Sequence, residues 1–146
     1  MNDKPRRILL DTNVVSELYK SQPDQAMVDW CENIDLDNTF ISSITIMELI
    51  YGMWRMPAGR RRTLLSNAIT HTLRSYERRM LPFDLDAGIR CSLIRADLDA
   101  HGHPVGLADT QIAAIAQAND CTLATRNTKD FQHTGVPLIN PWEAAA

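Results

Sequence analysis

The feature that most constrains this chain is an apolar run near the N-terminus that leads directly into an acid. Residues 8–13 read ILLDTN, and an apolar run without polar alternation is typical of a strand buried on both faces of a parallel sheet. Thr12 and Asn13 are good helix caps, so a helix is predicted to begin near Val14. Asp11 would then lie at the carboxyl end of a central strand, where open α/β sheets bind their ligands. Taken alone, Asp11 is equally well explained as an ordinary polar residue between a strand and a helix.

Strand and helix patterns alternate along the rest of the chain. Further strands are predicted at residues 39–42, 80–83, 121–125 and 136–139, and helices at residues 14–20, 24–33, 44–54, 60–76, 84–100 and 107–118. The helix at 44–54 is apolar nearly all round, which predicts that it is buried. Pro82 would confine its short strand, or extended connector, to the sheet edge. The alternation indicates the α/β class: one parallel sheet with helices on both faces, in a single domain over residues 1–146.

Composition and charge exclude several classes of protein. Hydrophobic residues make up 45% and charged residues 23% of the chain, as in an ordinary globular domain. No apolar stretch approaches the roughly 20 residues of a membrane span, and no signal peptide is expected. Cys31, Cys91 and Cys121 lie far apart, which favours reduced thiols in a cytoplasmic protein. The net charge of −3 argues against nucleic-acid binding by bulk positive charge alone, although bound cations can offset clustered carboxylates.

Two further acids stand in places that need an explanation. Glu48 is the only charged residue between Ile44 and Trp54, and its helical neighbours one turn away include no cation. A buried carboxylate is tolerated when it is paired or metal-bound. Glu48 therefore reaches solvent at the edge of the helix, pairs with a distant arginine or has a functional role. Asp109 follows Gly106 in the first turn of a predicted helix, where the helix dipole favours an acid in any case.

A fourth acidic element follows the strand predicted at 121–125. Asp130 either belongs to a short helical turn or reaches the same sheet edge, and Asn127 is a neutral oxygen donor that could hold a metal-bound water. Acids that converge without a His or Cys ligand set suit Mg²⁺ or Mn²⁺ better than Zn²⁺. Such an ion activates water for in-line displacement at phosphorus. His101 and His103 are expected to lie in an exposed loop rather than to form a metal pair.

Four segments resemble the motifs of PIN-domain ribonucleases, and they occur in the family's order. They are residues 10–18 (LDTNVVSEL), 41–52 (ISSITIMELIYG), 106–114 (GLADTQIAA) and 123–131 (LATRNTKDF). Residues 138–142 (LINPW) are similar to the C-terminus of the VapC/FitB branch. The resemblance implies a compact α/β/α sandwich and the toxin of a type II toxin–antitoxin pair. It also implies Mg²⁺-dependent endonucleolytic cleavage of RNA.

The resemblance assigns roles to the acids. Asp11, Glu48 and Asp109 fall on the family's acidic positions. Asp11 and Asp109 would bind the metal, while Glu48 would bind metal or orient the attacking water. Some relatives carry a fourth acid where Asn127 stands, and the nearest acid here is Asp130. Either Asp130 completes the catalytic set or Asn127 acts through a water.

Other residues are expected to support these acids. Thr12 and Asn13 would hold the side chain of the first acid in place. The basic cluster Arg60, Arg61 and Arg62 is the best candidate for holding an RNA backbone, although a run of charge is more often simply a solvated face.

The resemblance also implies a set of partners. Toxins of this branch generally form homodimers, bind a cognate antitoxin whose tail covers the active site, and reach operator DNA only through that antitoxin. No membrane partner is implied. The Met- and Trp-rich helices predicted at 24–33 and 44–54 are candidates for the antitoxin interface.

Two other functions stay open on the sequence. The chain could be a weakly catalytic partner in an antitoxin-bound, DNA-binding autoregulatory complex, and assaying RNA cleavage by the free protein would separate this from the nuclease. A phosphatase similar to the haloacid dehalogenases, with Asp11 as nucleophile, is disfavoured. That chemistry pairs two acids around the strand end, and the second position here is Asn13.

Overall fold

The computed structural model describes residues 4–143, which form a parallel sheet covered by helices. The strands are β1 (Ile8–Leu10), β2 (Thr39–Ser42), β3 (Met80–Leu81), β4 (Thr122–Ala124) and β5 (Leu138–Ile139). The helices are α1 (Thr12–Leu18), α2 (Gln25–Glu32), α3 (Ser43–Trp54), α4 (Arg60–Ser75), α5 (Leu85–Ala100), α6 (Leu107–Ala118) and α7 (Thr128–Phe131), with a 3₁₀ turn at Leu36–Asn38. All strand pairs are parallel, in the order β3-β2-β1-β4-β5. The predicted α/β class with a central parallel sheet is confirmed.

Strand β1 lies at the centre of the sheet, which explains its unbroken apolar sequence. It pairs with β2 on one side and with β4 on the other. Its side chains alternate between faces: Leu9 joins one core cluster, while Ile8 and Leu10 join the other. The chain segments that follow β1, β2 and β4 therefore leave the sheet at the same edge.

Each face of the sheet has its own buried core. Helix α6 supplies much of one face, where Ile112, Ile115 and the α7 side chain Phe131 are fully buried. Helices α1, α2 and α4 cover the other face through residues such as Val14, Met27 and Ile69. Apolar side chains on both faces of a parallel sheet are what an α/β/α sandwich requires.

The start of α1 differs from the prediction. The helix begins at Thr12 rather than near Val14, and Asp11 is its N-cap, accepting a hydrogen bond from the Thr12 amide. The expectation that Thr12 and Asn13 cap the helix was therefore wrong. Because Asp11 takes that role, the side chains of Thr12 and Asn13 are free to bind other groups at the sheet edge.

Helix α3 is not buried all round, which corrects a second prediction. Ile44, Leu49 and Met53 are buried, but Met47, Tyr51 and Trp54 are 54%, 63% and 65% exposed. A helix lying on one face of a sheet buries one stripe, and residues 4–143 leave the other stripe of α3 uncovered. Glu48 is half-buried at the border between the two stripes.

Several smaller predictions are also settled. Strand β3 ends just before Pro82 and lies at the sheet edge, as predicted. Strand β2 has the predicted bounds, while β3, β4 and β5 are shorter than predicted. Cys31, Cys91 and Cys121 are free thiols, as expected. Within residues 4–143, no helix combines the length and the apolar character needed to cross a bilayer.

Candidate active site

The acids singled out in the sequence meet at the carboxyl edge of the sheet. Asp11 from the end of β1, Glu48 from α3 and Asp109 from α6 line one cavity of about 410 Å³. Asn13 and Asn127 line the same cavity. Three carboxylates that are far apart in the sequence thus share one pocket. Asp11 and helix α3 follow the paired strands β1 and β2, and α6, which leads into β4 on the other side of β1, begins at the same edge.

Asp11 is held rigidly by its neighbours. Its side chain is only 3% exposed. Oδ1 accepts a hydrogen bond from the Thr12 amide at 2.8 Å, and Oδ2 accepts one from the Thr125 hydroxyl at 2.8 Å. The Asn13 side-chain amide donates to Oδ2 at 3.3 Å. Burial raises the pKa of Asp11 above its usual value, while the Thr125 hydrogen bond works in the opposite direction.

Glu48 is connected to Asp11 through Thr12. The Thr12 hydroxyl donates to Oε1 of Glu48 at 2.8 Å and also lies 3.0 Å from the Thr45 hydroxyl. A threonine hydroxyl has one proton to donate, so Thr45 must be the donor to Thr12. Thr12 therefore places Glu48 with its side chain and Asp11 with its backbone amide.

Asp109 lies in the first turn of α6 and is crowded by like charges. Burial, followed by the negative charges of Asp11, Glu48 and Asp130, raises its pKa from 3.8 to about 6. Like charges in one pocket disfavour full ionisation of these carboxyl groups unless a cation neutralises them. The pocket is therefore electrostatically suited to a divalent cation.

The structure places the two candidates for the fourth position differently. Asn127 lines the cavity that contains Asp11, and its backbone amide donates to the Thr125 hydroxyl at 3.0 Å. Asp130 is exposed on α7 and lines a neighbouring cavity, which it shares with Asp109. Asp130 thus influences Asp109 by charge, while Asn127 is the one that faces the acids.

Comparison with known proteins identifies the family. The PIN-domain family matches residues 8–137. The chain belongs to the PIN-domain family. It is 42% identical to the VapC ribonuclease Y4jK of Sinorhizobium fredii, over 94% of this chain and 99% of that protein. It is 35% identical to toxin FitB of Neisseria gonorrhoeae, over 92% and 98%.

Solved structures place the chain in the same branch. A structure of FitAB bound to an IR36 DNA fragment is similar with a TM-score of 0.87 at 34% identity, covering 93% of this chain and 96% of that one. The resemblance to the VapC/FitB branch, drawn from the sequence motifs, is confirmed.

The PIN-domain cavity also contains residues that the sequence reasoning missed. Glu17 is 7% exposed, accepts a hydrogen bond from the Asp24 amide at 3.0 Å and pairs with Lys20 at 2.6 Å. The Lys20 contact holds the pKa of Glu17 below its usual value. A signal was available: Asn13, Ser16, Glu17 and Lys20 are spaced as one face of a helix.

Arg126 is a second cation at the same cavity. Its guanidinium lies 5.0 Å from the centre of the Trp142 ring, and both residues line the pocket. Its backbone amide donates to the Asn13 side chain at 3.2 Å. The sequence offered no signal for this placement, since Arg126 and Trp142 meet only because β4 and β5 are adjacent.

The arginine cluster predicted to hold RNA lies elsewhere. Arg60, Arg61 and Arg62 form the first turn of α4 and are not among the residues that line the acidic cavity. The guanidinium of Arg62 lies 5.4 Å from the centre of the Trp54 ring. The structure thus brings Lys20 and Arg126, rather than this cluster, to the acids of the PIN domain.

The donor set of the cavity fits a hard divalent cation that keeps part of its water shell. Asp11, Glu48 and Asp109 offer oxygen ligands only. Among residues 4–143, no group of three His, Cys, Asp or Glu side chains is arranged to hold a metal ion by itself. Mg²⁺ commonly binds through one or two carboxylates and retains several waters, so direct contact with all three acids is not required.

Proposed function

We propose that this PIN domain is an endoribonuclease that depends on Mg²⁺, with Mn²⁺ as the alternative metal, and that it is the toxin of a type II toxin–antitoxin pair. The observation that carries the proposal is the shared cavity of Asp11, Glu48 and Asp109, in which burial and the neighbouring acids raise the pKa of Asp109 to about 6. The ribonuclease and toxin names of its relatives support the same activity.

The side chains have separable roles in this reaction. When bound, the metal supplies charge neutralisation and an acidified water for attack at phosphorus. Asp11 offers the lone pairs that Thr12, Thr125 and Asn13 leave free, in an orientation fixed by those contacts. Since Thr12 fixes Oε1 of Glu48, Oε2 of Glu48 is left to orient a water.

The remaining polar side chains complete the arrangement. Asp109 contributes the third carboxylate, and Asn127 would hold a water at the fourth position. Lys20 and Arg126 are the cations at the same cavity, so they are the groups placed to hold the phosphates on either side of the cleaved bond. Asp130 acts on Asp109 through its charge.

Removal of the metal tests the function directly. The purified protein should cleave single-stranded RNA in millimolar Mg²⁺, and an excess of EDTA should reduce the rate by about a thousandfold or more, because the metal supplies both the nucleophile and charge stabilisation. Restoring Mg²⁺ should restore cleavage. Cleavage that proceeds equally in EDTA would reject the metal-dependent mechanism. Absence of cleavage under both conditions would favour the weakly catalytic, DNA-bound regulatory partner.

Salt dependence tests the placement of the phosphate-binding groups. Arg126→Ala should weaken RNA binding for all sequences. It should also reduce the slope of the logarithm of the binding constant against the logarithm of salt concentration by about 0.7, as expected for one lost phosphate contact to a single strand. Arg61→Ala is the matched control, since Arg61 is an exposed arginine outside the cavity. Fluorescence anisotropy at several salt concentrations measures both slopes. A reduced slope for Arg61→Ala with an unchanged slope for Arg126→Ala would indicate that the α4 arginines, rather than Arg126, hold the RNA phosphates.

The antitoxin is proposed to bind the uncovered face of α3. Met47, Tyr51 and Trp54 form an exposed apolar stripe there, and Glu48 lies at its border. Apolar patches of this kind mark interaction sites. A partner on this stripe would reach the active site without crossing the sheet, and solved relatives are toxin–antitoxin complexes, some with DNA bound. Operator DNA is accordingly expected to be bound by the antitoxin.

The homodimer stays a prediction. Helix α5 carries a second exposed apolar stripe, in which Leu85, Ile89 and Leu93 are 80%, 54% and 66% exposed. These residues are spaced by four, so they form one line along the helix. This line supports association with a second copy of the chain through α5.

A further inference from the structure

A second cavity adjoins the acidic one, and Asp109 lines both. This cavity has a volume of about 310 Å³ and opens between the loop before α6 and the segment around α7. Its walls carry two imidazoles, one ammonium group and two carboxylates, from His103, His133, Lys129, Asp109 and Asp130. The function proposed above uses Asp109 from this set, and Asp130 only through its charge. The aromatic and basic wall has no role in it.

The two imidazoles are stacked face to face. The ring centroids of His103 and His133 are 3.8 Å apart, and the ring planes differ by 11°. Both side chains are nevertheless exposed. Two loops thirty residues apart in sequence thus combine to present a flat aromatic surface at the mouth of the cavity.

The geometry of the stack argues against a metal site. The lone pairs of imidazole nitrogens lie in the ring planes, so two rings that are nearly parallel direct them along parallel lines. One ion cannot accept both lone pairs unless a ring rotates out of the stack. Among the described residues, no three His, Cys, Asp or Glu side chains that include this pair are arranged to hold an ion.

A flat aromatic surface beside a cation is suited to a nucleotide. Bases stack on exposed aromatic side chains with little dependence on sequence, and a nearby lysine can hold the attached phosphate. Lys129 lines the same cavity and precedes Asp130 on α7. An RNA strand whose cleaved phosphate lies at Asp109 would carry its next nucleotide into this cavity, since Asp109 forms the boundary between the two.

We infer that the second cavity is the binding subsite for a nucleotide adjacent to the cleaved bond, with the base stacked on the His103–His133 pair and the phosphate near Lys129. The inference rests on the proposed ribonuclease function and specifies its substrate class. A base must leave its own helix to stack on a side chain, so the substrate is single-stranded at the cleavage site.

Steady-state cleavage of a randomised pool of RNA about 12 nucleotides long, in Mg²⁺, tests the subsite. His103→Ala and His133→Ala should each raise KM about tenfold and leave kcat within about twofold, because stacking contributes to binding rather than to the chemical step. His133→Phe should restore KM, since phenylalanine preserves the flat surface. His101→Ala is the matched control, as His101 lies in the same loop but does not line the cavity.

The outcomes separate the subsite from the nuclease activity. If the wild-type protein does not cleave the pool, the proposed function fails and the subsite with it. If the wild-type protein cleaves but both His→Ala variants match His101→Ala in KM, only the subsite is rejected. A rise in KM for His133→Ala that His133→Phe does not reverse would also reject stacking. Thermal unfolding of each variant identifies any effect that comes from misfolding, and the exposure of both rings predicts little change.

Discussion

Asp11→Asn should abolish divalent-dependent RNA cleavage, lowering kcat by about a thousandfold or more, while the protein stays folded. The substitution replaces a carboxylate by a neutral amide at the centre of the pocket. Its amide oxygen can still accept from the Thr12 backbone amide, so the helix cap survives. The amide nitrogen would take the place of Oδ2, so the Thr125 hydroxyl must rotate to accept and the long hydrogen bond from the Asn13 amide, at 3.3 Å, is lost.

Stability separates this effect from general damage. Asp11 is buried and its pKa is raised by burial, so removing its charge offsets the weaker hydrogen bonds. The free energy of unfolding should therefore change by no more than about 1 kcal/mol. Asp99→Asn, at an exposed acid on α5, is the control for a lost carboxylate. Cleavage assays with Mg²⁺ and thermal melts measure both quantities, and an active Asp11→Asn protein would remove Asp11 from the mechanism.

The convergence of the acids was accessible from sequence because local rules determined it. The apolar run of β1 predicts a central strand, and a central parallel strand places the next residue, Asp11, at the binding edge. Glu48 lies in α3, which follows β2, and Asp109 lies at the start of α6, which leads into β4. Both residues therefore approach the same edge. In each case the position depends on a few neighbouring residues and on one topological rule.

Features that depend on distant contacts were not accessible in this way. The apolar composition of α3 does not reveal how many of its faces pack against the rest of the domain, so Met47 and Trp54 were wrongly expected to be buried. Arg126 reaches Trp142 only through the adjacency of β4 and β5. The His103–His133 stack joins two loops whose sequences give no sign of each other. The helix cap was missed because Asp11, Thr12 and Asn13 are all good caps, and tertiary contacts decide between them.

Asp109→Asn should make the metal-free protein more stable while it inactivates the enzyme. The pKa of Asp109 rises from 3.8 to about 6 because burial and three neighbouring acids disfavour its charge. At neutral pH Asp109 is charged in both states, but only in the folded protein do burial and the neighbouring acids make that charge unfavourable. Removing it should raise the free energy of unfolding in EDTA by about 2 kcal/mol, below the roughly 3 kcal/mol of the full shift because Asp109 is partly solvated. Asp130→Asn, which removes only one weaker neighbour, should raise it by less than about 0.5 kcal/mol.

The pH and metal dependence of this gain identify its cause. A raised folded pKa means that the proton on Asp109 stabilises the fold below about pH 4, and that this contribution is lost as the pH rises through about 6. The wild-type and Asp109→Asn proteins should thus be equally stable near pH 4 and differ most above about pH 7. Mg²⁺ should raise the melting temperature of the wild-type protein and leave that of the variant nearly unchanged, since a cation bound only to the folded state stabilises it by mass action. Chemical denaturation across this pH range, with and without Mg²⁺, measures both differences. A gain that does not vary with pH would mean that packing, rather than charge crowding in the pocket, is responsible.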